Sequence, residues 1–230
     1  MRKILLSWSS GKDSAWTLHV LRQQGLYDIA GLVTTINSAF DRVAMHSSRR
    51  TLVEMQAKAA DVPLIKVPLP WPCSNFDYEY AMKSVCDRAV AEGVQAIAFG
   101  DLFLEDIRAY REKQLTGTGL EPLFPLWQLH TGVLARDMIR GGLRARLVCV
   151  DPGKLAPEFA GREFDEQLLQ DFPPGVDPCG ENGEFHSFVY AGPMFSREVP
   201  VVSGERVQRD GFWYADLLPA EAPLEIVPRS

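Results

Sequence analysis

Three short stretches of this chain carry residue types and spacings that could do chemistry. The first is Ser9-Ser10-Gly11-Lys12-Asp13-Ser14, which follows the apolar run Ile4-Leu5-Leu6. A helical pattern follows, with Ala15, Leu18 and Leu21 on one face and Gly25 at the end. A turn between strand and helix points backbone N–H groups into one concavity, and the helix N-terminus adds partial positive charge. Both favour phosphate. Lys12 adds a mobile cation and Ser14 a hydroxyl donor on an exposed turn. The turn is not a Walker A loop: Leu6 stands where that pattern needs its first Gly, and Asp13 follows the Lys. A Ser at position 10 would cost about 1 kcal/mol in a left-handed conformation, so Gly11 is expected to adopt it.

The second stretch is Gly100-Asp101, at the end of the expected strand Gln95–Phe99. Ligands of doubly wound sheets sit outside the carboxyl ends of the strands. Asp101 there could hold Mg²⁺ or orient a substrate, with Glu105 one helical turn later, or it could cap the next helix. Glu105, Arg108, Arg111 and Glu112 have helical spacing. They read either as surface ion pairs or as a face where Arg108 or Arg111 meets phosphate. The third stretch is Cys179-Gly180-Glu181-Asn182-Gly183-Glu184-Phe185-His186. Two carboxylates, each beside a glycine and ahead of a strand, suit a general base or a metal ligand. His46, after the second strand, is the histidine placed to face a ligand, whereas His19 reads as packing.

The elements that position these residues alternate in the first half. Strands are expected at about 3–8, 29–36, 64–67 and 95–99, and helices at about 13–24, 48–60, 77–92 (capped by Asp77) and 105–115. That order implies a parallel sheet. The second half is punctuated by proline and glycine. It carries expected helices at 131–140 and 164–170, strands at 146–150 and 185–190, and a hairpin over 207–217 turning at Asp210-Gly211. The break at Thr116-Gly117-Thr118-Gly119 sets an expected boundary between residues 1–117 and 118–230.

The chain has 230 residues and a net charge of −6. The acidic balance argues against a nucleic-acid partner. Cys73, Cys86, Cys149 and Cys179 show no metal-ligand or disulfide spacing. They fit reduced thiols in a cytoplasmic protein. No apolar run is long enough for a membrane span or a signal-peptide core.

With these residues in place, the chain resembles the diphthine–ammonia ligase family of N-type ATP pyrophosphatases, in a bacterial-type variant. The resemblance runs over about residues 3–195 through Ser9–Ser14, Met45-His46, Gly100-Asp101 with Glu105–Arg108, Pro125-Leu126-Trp127, and Cys179–Phe185 with Pro193. Two departures stand out. Ser10 replaces the first Gly of the Ser-Gly-Gly-x-Asp-Ser loop, and Glu181-Asn182-Gly183-Glu184-Phe185-His186-Ser187 replaces Glu-Gly-Gly-Glu-Phe-Glu-Thr. The resemblance implies a HUP-type α/β fold with five parallel strands in order 3-2-1-4-5 and a smaller α+β C-terminal domain. It implies that ATP, with Mg²⁺, adenylates a substrate carboxylate, releasing pyrophosphate, and that ammonia then displaces AMP to leave an amide. Phosphates would lie on Ser9, Ser10, Gly11, Lys12, Asp13 and Ser14, and adenine near Thr34 and Thr35, with His46, Gly100 and Arg108 around the nucleotide. Lys12, Asp101, Glu105, Glu181 and Glu184 would form the catalytic set, and the loop at 181–184 would shape the acceptor site. The acceptor could be a small molecule or protein-borne. No glutaminase segment precedes the loop, so ammonia would arrive free or from a partner. A tRNA-modifying relative or a nucleotide sensor is the alternative.

Overall fold

A computed structural model describes residues 1–43 and 48–220. Its first sheet contains β1 (Arg2–Ser7), β2 (Tyr27–Asn37), β4 (Leu64–Leu69), β5 (Ala96–Ala98) and β6 (Glu121–Leu123), hydrogen-bonded in the order β4-β2-β1-β5-β6, all parallel. This is the expected 3-2-1-4-5 arrangement. A two-residue strand, β3 (Arg42–Val43), adds an antiparallel pairing at the end of β2. β6 lies beyond the Thr116–Gly119 break and still completes this sheet.

Alternation along the strands divides the core. Ile4, Leu6, Leu32 and Ala98 face α1 (Lys12–Gln24) and α2 (Arg50–Ala60), whereas Leu5, Val33, Val67 and Ile97 face α3 (Asn75–Ala91) and the end of α4 (Glu105–Leu115). Strand order reverses at β1. The turn after β1 and the turn after β5 therefore flank one crevice at the sheet's carboxyl edge. Ser74, rather than Asp77, caps α3. Its side chain accepts from the Asp77 N–H while the Asp77 carboxylate accepts from the Ser74 N–H, because Asp77 falls at the third helical position of a capping box.

The second unit carries α5 (Thr131–Arg140), β7 (Arg144–Val150), a 3₁₀ turn at Pro157–Phe159, α6 (Glu166–Asp171), β8 (Phe185–Ala191), β9 (Val201–Arg209) and β10 (Phe212–Pro219). Its antiparallel sheet has the order β8-β7-β10-β9. The β9–β10 hairpin turns at Asp210-Gly211, both with positive φ, as the sequence suggests.

The two units share core. Leu52 and Ala59 of α2 pack with Val148, Phe188 and Leu217. Asp216 on β10 accepts from Arg42 and Arg49, at 3.0 and 2.5 Å. Among the described residues, no helix is long and apolar enough to cross a membrane.

Candidate active site

The phosphate-type turn is built by burial rather than left at the surface. Lys12 and Ser14 are only 3% and 4% exposed, which corrects the expectation of an exposed turn. The left-handed residue is Ser10, with φ 71°, and Gly11 is extended at φ −86°, again opposite to expectation. Tertiary contacts account for the exchange. The Ser10 hydroxyl donates to Ser48 Oγ at 2.9 Å. The Ser10 carbonyl accepts from the Val189 N–H of β8 and from Gln56 Nε2, each at 3.0 Å. Gln56 itself is fully buried, accepts from Trp8 Nε1 at 2.9 Å and donates to the Val189 carbonyl at 2.6 Å. One glutamine on α2 thus holds the end of β1, the turn and β8 together. These bonds offset the roughly 1 kcal/mol of a left-handed serine.

Within the turn, Ser9 Oγ and Ser14 Oγ lie 3.1 Å apart, and Ser14 Oγ donates to the Gly11 carbonyl at 3.0 Å. Gly11 occupies the N-cap of α1 without a side-chain cap. The Lys12 N–H donates to Ser187 Oγ of β8 at 3.1 Å. The Lys12 ammonium sits 2.8 Å from Asp13 and 5.4 Å from the centre of the Phe185 ring. Burial alone would lower its pKa, but Asp13, Cys179 and Glu181 outweigh burial and hold it above the usual lysine value.

Gly100 is required by close approach. A Cβ there would lie 2.9 Å from the Asp13 carbonyl carbon and 3.0 Å from the Ser14 nitrogen, both backbone atoms. The missing side chain lets the β5 end seat against the turn, and this delivers Asp101 to it. Asp101 is not a helix cap, since Leu104 holds that position in α4. Burial, then the nearby Asp13, raises the Asp101 carboxyl above its usual range against the pull of Arg111 at 3.6 Å. Asp13 Oδ1 and Asp101 Oδ2 are both buried without a hydrogen-bond partner.

The glycine-rich loop supplies the third wall. Asp177 organises it: its carboxylate accepts from the N–H groups of Cys179 and Glu181, at 3.2 and 2.9 Å. Gly180, at φ 69°, lies against Phe185, where a Cβ would meet the ring at 2.9 Å. Glu181 faces the cleft and accepts from the Leu102 N–H at 2.8 Å. Burial, with help from Asp13 and Asp101, pushes its carboxyl up to about 7. His186 also lines the cleft, and burial lowers its imidazole to about 4, so it is neutral near pH 7.

The structure thus gathers Ser9, Lys12, Asp13, Ser14, Gly100, Asp101 and Glu181 around one cleft of about 220 Å³. Other expected residues lie elsewhere. Glu184 is 3% exposed and turns away from that cleft, accepting from the Asp177 N–H at 3.0 Å and Asn182 Nδ2 at 3.2 Å. It braces the loop through Oε1, and its Oε2 is buried without a hydrogen-bond partner. Glu105 is exposed at the start of α4. Arg108 pairs with Glu112 at 2.8 Å and stacks on Phe124 and Trp127, each 4.8 Å away, so Arg111 is the arginine that enters the cleft. Thr35 reaches an adjoining chamber, while Thr34 shares the other sheet face with Leu32 and Ile36. His46 lies outside the described residues. His19 packs on Trp16 at 4.6 Å, as expected of a structural histidine.

A parallel sheet whose strand order reverses beside a serine–lysine turn, faced by acids, has the architecture of a doubly wound α/β protein with its cleft at the switch point. The sequence comparisons make this specific. The chain belongs to the diphthamide synthase family: the model of that family's N-terminal domain matches residues 1–122 and the model of its C-terminal domain matches residues 130–217. A diphthine–ammonia ligase from Danio rerio is 25% identical over 225 residues, covering 86% of each chain. One from Homo sapiens is 30% identical over 123 residues, covering 50% of this chain and 45% of that protein. Among solved structures, a predicted subunit of tRNA methyltransferase from Methanocaldococcus jannaschii is similar at a TM-score of 0.42 and 17% identity, over 61% of this chain and 75% of that one.

Proposed function

We propose that this chain is an ATP-dependent ligase that adenylates a carboxylate and converts it to an amide with ammonia. The observation that carries the reading is the single cleft joining the Ser9–Ser14 turn, Asp101, Arg111 and Glu181. Membership of a family whose relatives bear the name diphthine–ammonia ligase supports it. The two units divide the work. Residues 1–117 supply the turn and Asp101 for the nucleotide and Arg111 for the acceptor carboxylate, and residues 118–230 supply Glu181 for the amide-forming step.

The chemistry follows from charge and position. The triphosphate lies on the turn, with Lys12 as the cation nearest its oxygens. A carboxylate oxygen of the acceptor attacks the α-phosphorus, the bond to the β-phosphate oxygen breaks, and pyrophosphate leaves. Ammonia then adds to the acyl carbon, AMP departs with the electron pair of the acyl–oxygen bond, and one proton must be removed. Glu181, poised near neutrality, is the group in the cleft suited to take that proton. Among the described residues no three metal-ligating side chains converge. Asp13 Oδ1, buried without a hydrogen-bond partner, and Asp101, whose Oδ2 has Arg111 at 3.6 Å, nonetheless suit a Mg²⁺ that would arrive with the nucleotide. Bound there, Mg²⁺ would neutralise charge building on the departing phosphate.

The tRNA-modifying alternative gains nothing from this site. A sulfur carrier needs a reactive thiolate, whereas burial pushes the Cys179 thiol well above its usual value. The reading is tested by pyrophosphate release across a panel of carboxylates, with and without ammonium. Release that needs both ATP and a carboxylate, with amide forming only when ammonium is present, is the expected result. ATP bound but unchanged with every carboxylate would return the chain to a nucleotide sensor.

A further inference from the structure

The cleft does not end at the acid cluster. On the α3/α4 face of the sheet two more chambers follow, each of about 360 Å³. One lies at the ends of β2 and β4, by Thr35 and Leu69, and shares Ser7, Ser9, Phe99 and Arg111 with the cleft. The other lies between α3 and α4, lined by Met82, Cys86, Ile97, Tyr110, Gln114 and Leu115. Phe99 and Arg111 line all three and so stand at the junction.

The helix sequences explain the space. α3 buries only Val85, Cys86 and Ala89, all in its second half, and α4 buries only Leu115, at its end. In the first half of α3, Tyr78, Ala81 and Met82 continue the apolar stripe but are only partly buried against the sheet. Room is left above Ile97 and Phe99, of a size and lining that suit a small ligand. A hydrogen bond of 3.2 Å from Gln114 to Glu79 ties the helices together at the chamber's edge.

Arg111 gives this chamber its chemistry. Its guanidinium lies 5.0 Å from the centre of the Phe99 ring, and its buried Nε is ion-paired with Asp101 Oδ2 at 3.6 Å, too far for a hydrogen bond. A buried donor held beyond hydrogen-bond reach of its ion-pair partner is under-satisfied, and the planar fork of arginine matches a carboxylate. Lys83, the other lysine or arginine on the chamber wall, is held at hydrogen-bond distance by Asp87, at 2.5 Å, whereas the Arg111 pair is a looser 3.6 Å.

We propose that the α3–α4 chamber is an acceptor pocket, which takes the apolar body of a small aryl or alkyl carboxylate while Arg111 holds the carboxylate at the mouth of the phosphate cleft. The ligase reading gives the bound carboxylate its use, but its binding stands on the chamber and Arg111 alone. The chamber beside Thr35 is left for the nucleoside. The acceptor therefore approaches the α-phosphate from the β5 side of the crevice.

The test is calorimetry on the full chain with 4-phenylbutyrate, 4-phenylbutanol and acetate, with MgATP titrated into the same preparations. Phenylbutyrate should bind at least about tenfold more tightly than either acetate or the alcohol. Gln114→Trp, which fills only the α3–α4 chamber, should weaken phenylbutyrate by about tenfold or more and leave MgATP unchanged. Arg111→Gln should abolish the preference for the acid over the alcohol. Phenylbutyrate binding no tighter than acetate, or indifferent to Gln114→Trp, overturns the pocket. If phenylbutyrate behaves as described but MgATP does not bind, the pocket stands and the ligase reading falls. If acetate-sized acids alone are converted to amides, the ligase reading stands and the pocket falls.

Discussion

Replacing Glu181 with Gln should make the protein more stable and less active, and the stability gain should grow with pH. Glu181 sits in the cleft facing Lys12, Asp13 and Asp101, and its carboxyl is raised to about 7 in the folded chain from an ordinary value of 4.5. Below the lower value both states hold the proton, and the group contributes nothing. As pH rises between the two values the unfolded chain ionises while the folded chain resists, so native stability falls. Above the upper value the penalty is complete. The full difference corresponds to about 3 kcal/mol. Halving it for the solvent-facing side of the cleft gives about 0.4 kcal/mol at about pH 5 and about 1.7 kcal/mol at about pH 8. Glutamine removes the charge and keeps the oxygen that accepts from the Leu102 N–H at 2.8 Å, so the substitution isolates the ionisation. Urea unfolding of both proteins at the two pH values measures the difference, and amide formation measures the cost. An equal effect at both pH values, or a loss of stability at the higher one, would refute the buried-charge argument.

Three further substitutions probe the parts of the site separately. Lys12→Met keeps the packing on Phe185 and removes the cation, so MgATP affinity by calorimetry should fall by about 1.5–3 kcal/mol, while a wild-type affinity would remove the turn from the phosphate site. Gln56→Leu strands Trp8 Nε1 and the Val189 carbonyl, and should cost about 2–4 kcal/mol in urea unfolding even though Gln56 lies outside the cleft; a neutral outcome would show that the glutamine does not lock the turn. Asp101→Asn should slow turnover sharply with no loss of melting temperature, because Leu104 and not Asp101 occupies the helix N-cap; full activity with a lowered melting temperature would reverse that assignment.

Much of the scaffold is legible in the sequence, because each element declares itself within a few residues. β5 ends where Gly100 breaks the apolar run, and the β9–β10 hairpin turns where Asp210-Gly211 tolerate positive φ. The strand order follows from resemblance, since alternation alone implies only a parallel sheet. The site is less legible where distant contacts decide it. Ser10 takes the left-handed conformation because Ser48, Gln56 and Val189 bind it, and the last of these lies 179 positions away in the chain. Helical spacing offers Arg108 and Arg111 equally. Only the ring pair Phe124 and Trp127, brought up after β6, draws Arg108 outward. Glu181 and Glu184 look alike in sequence, and the Asp177 hub separates them by aiming one at the cleft and turning the other inward. Gln56 reads as one more polar residue in an amphipathic helix, and its burial against three partners has no local signal.

The central claim is that a carboxylate oxygen attacks the α-phosphorus of ATP. An acceptor carboxylate labelled with oxygen-18, turned over with ATP and ammonium and followed by mass spectrometry of the products, tests it directly. The account predicts one labelled oxygen in the phosphate of AMP, unlabelled pyrophosphate and an amide that keeps the other labelled oxygen. Label in inorganic phosphate alongside ADP, or AMP carrying no label, would contradict it.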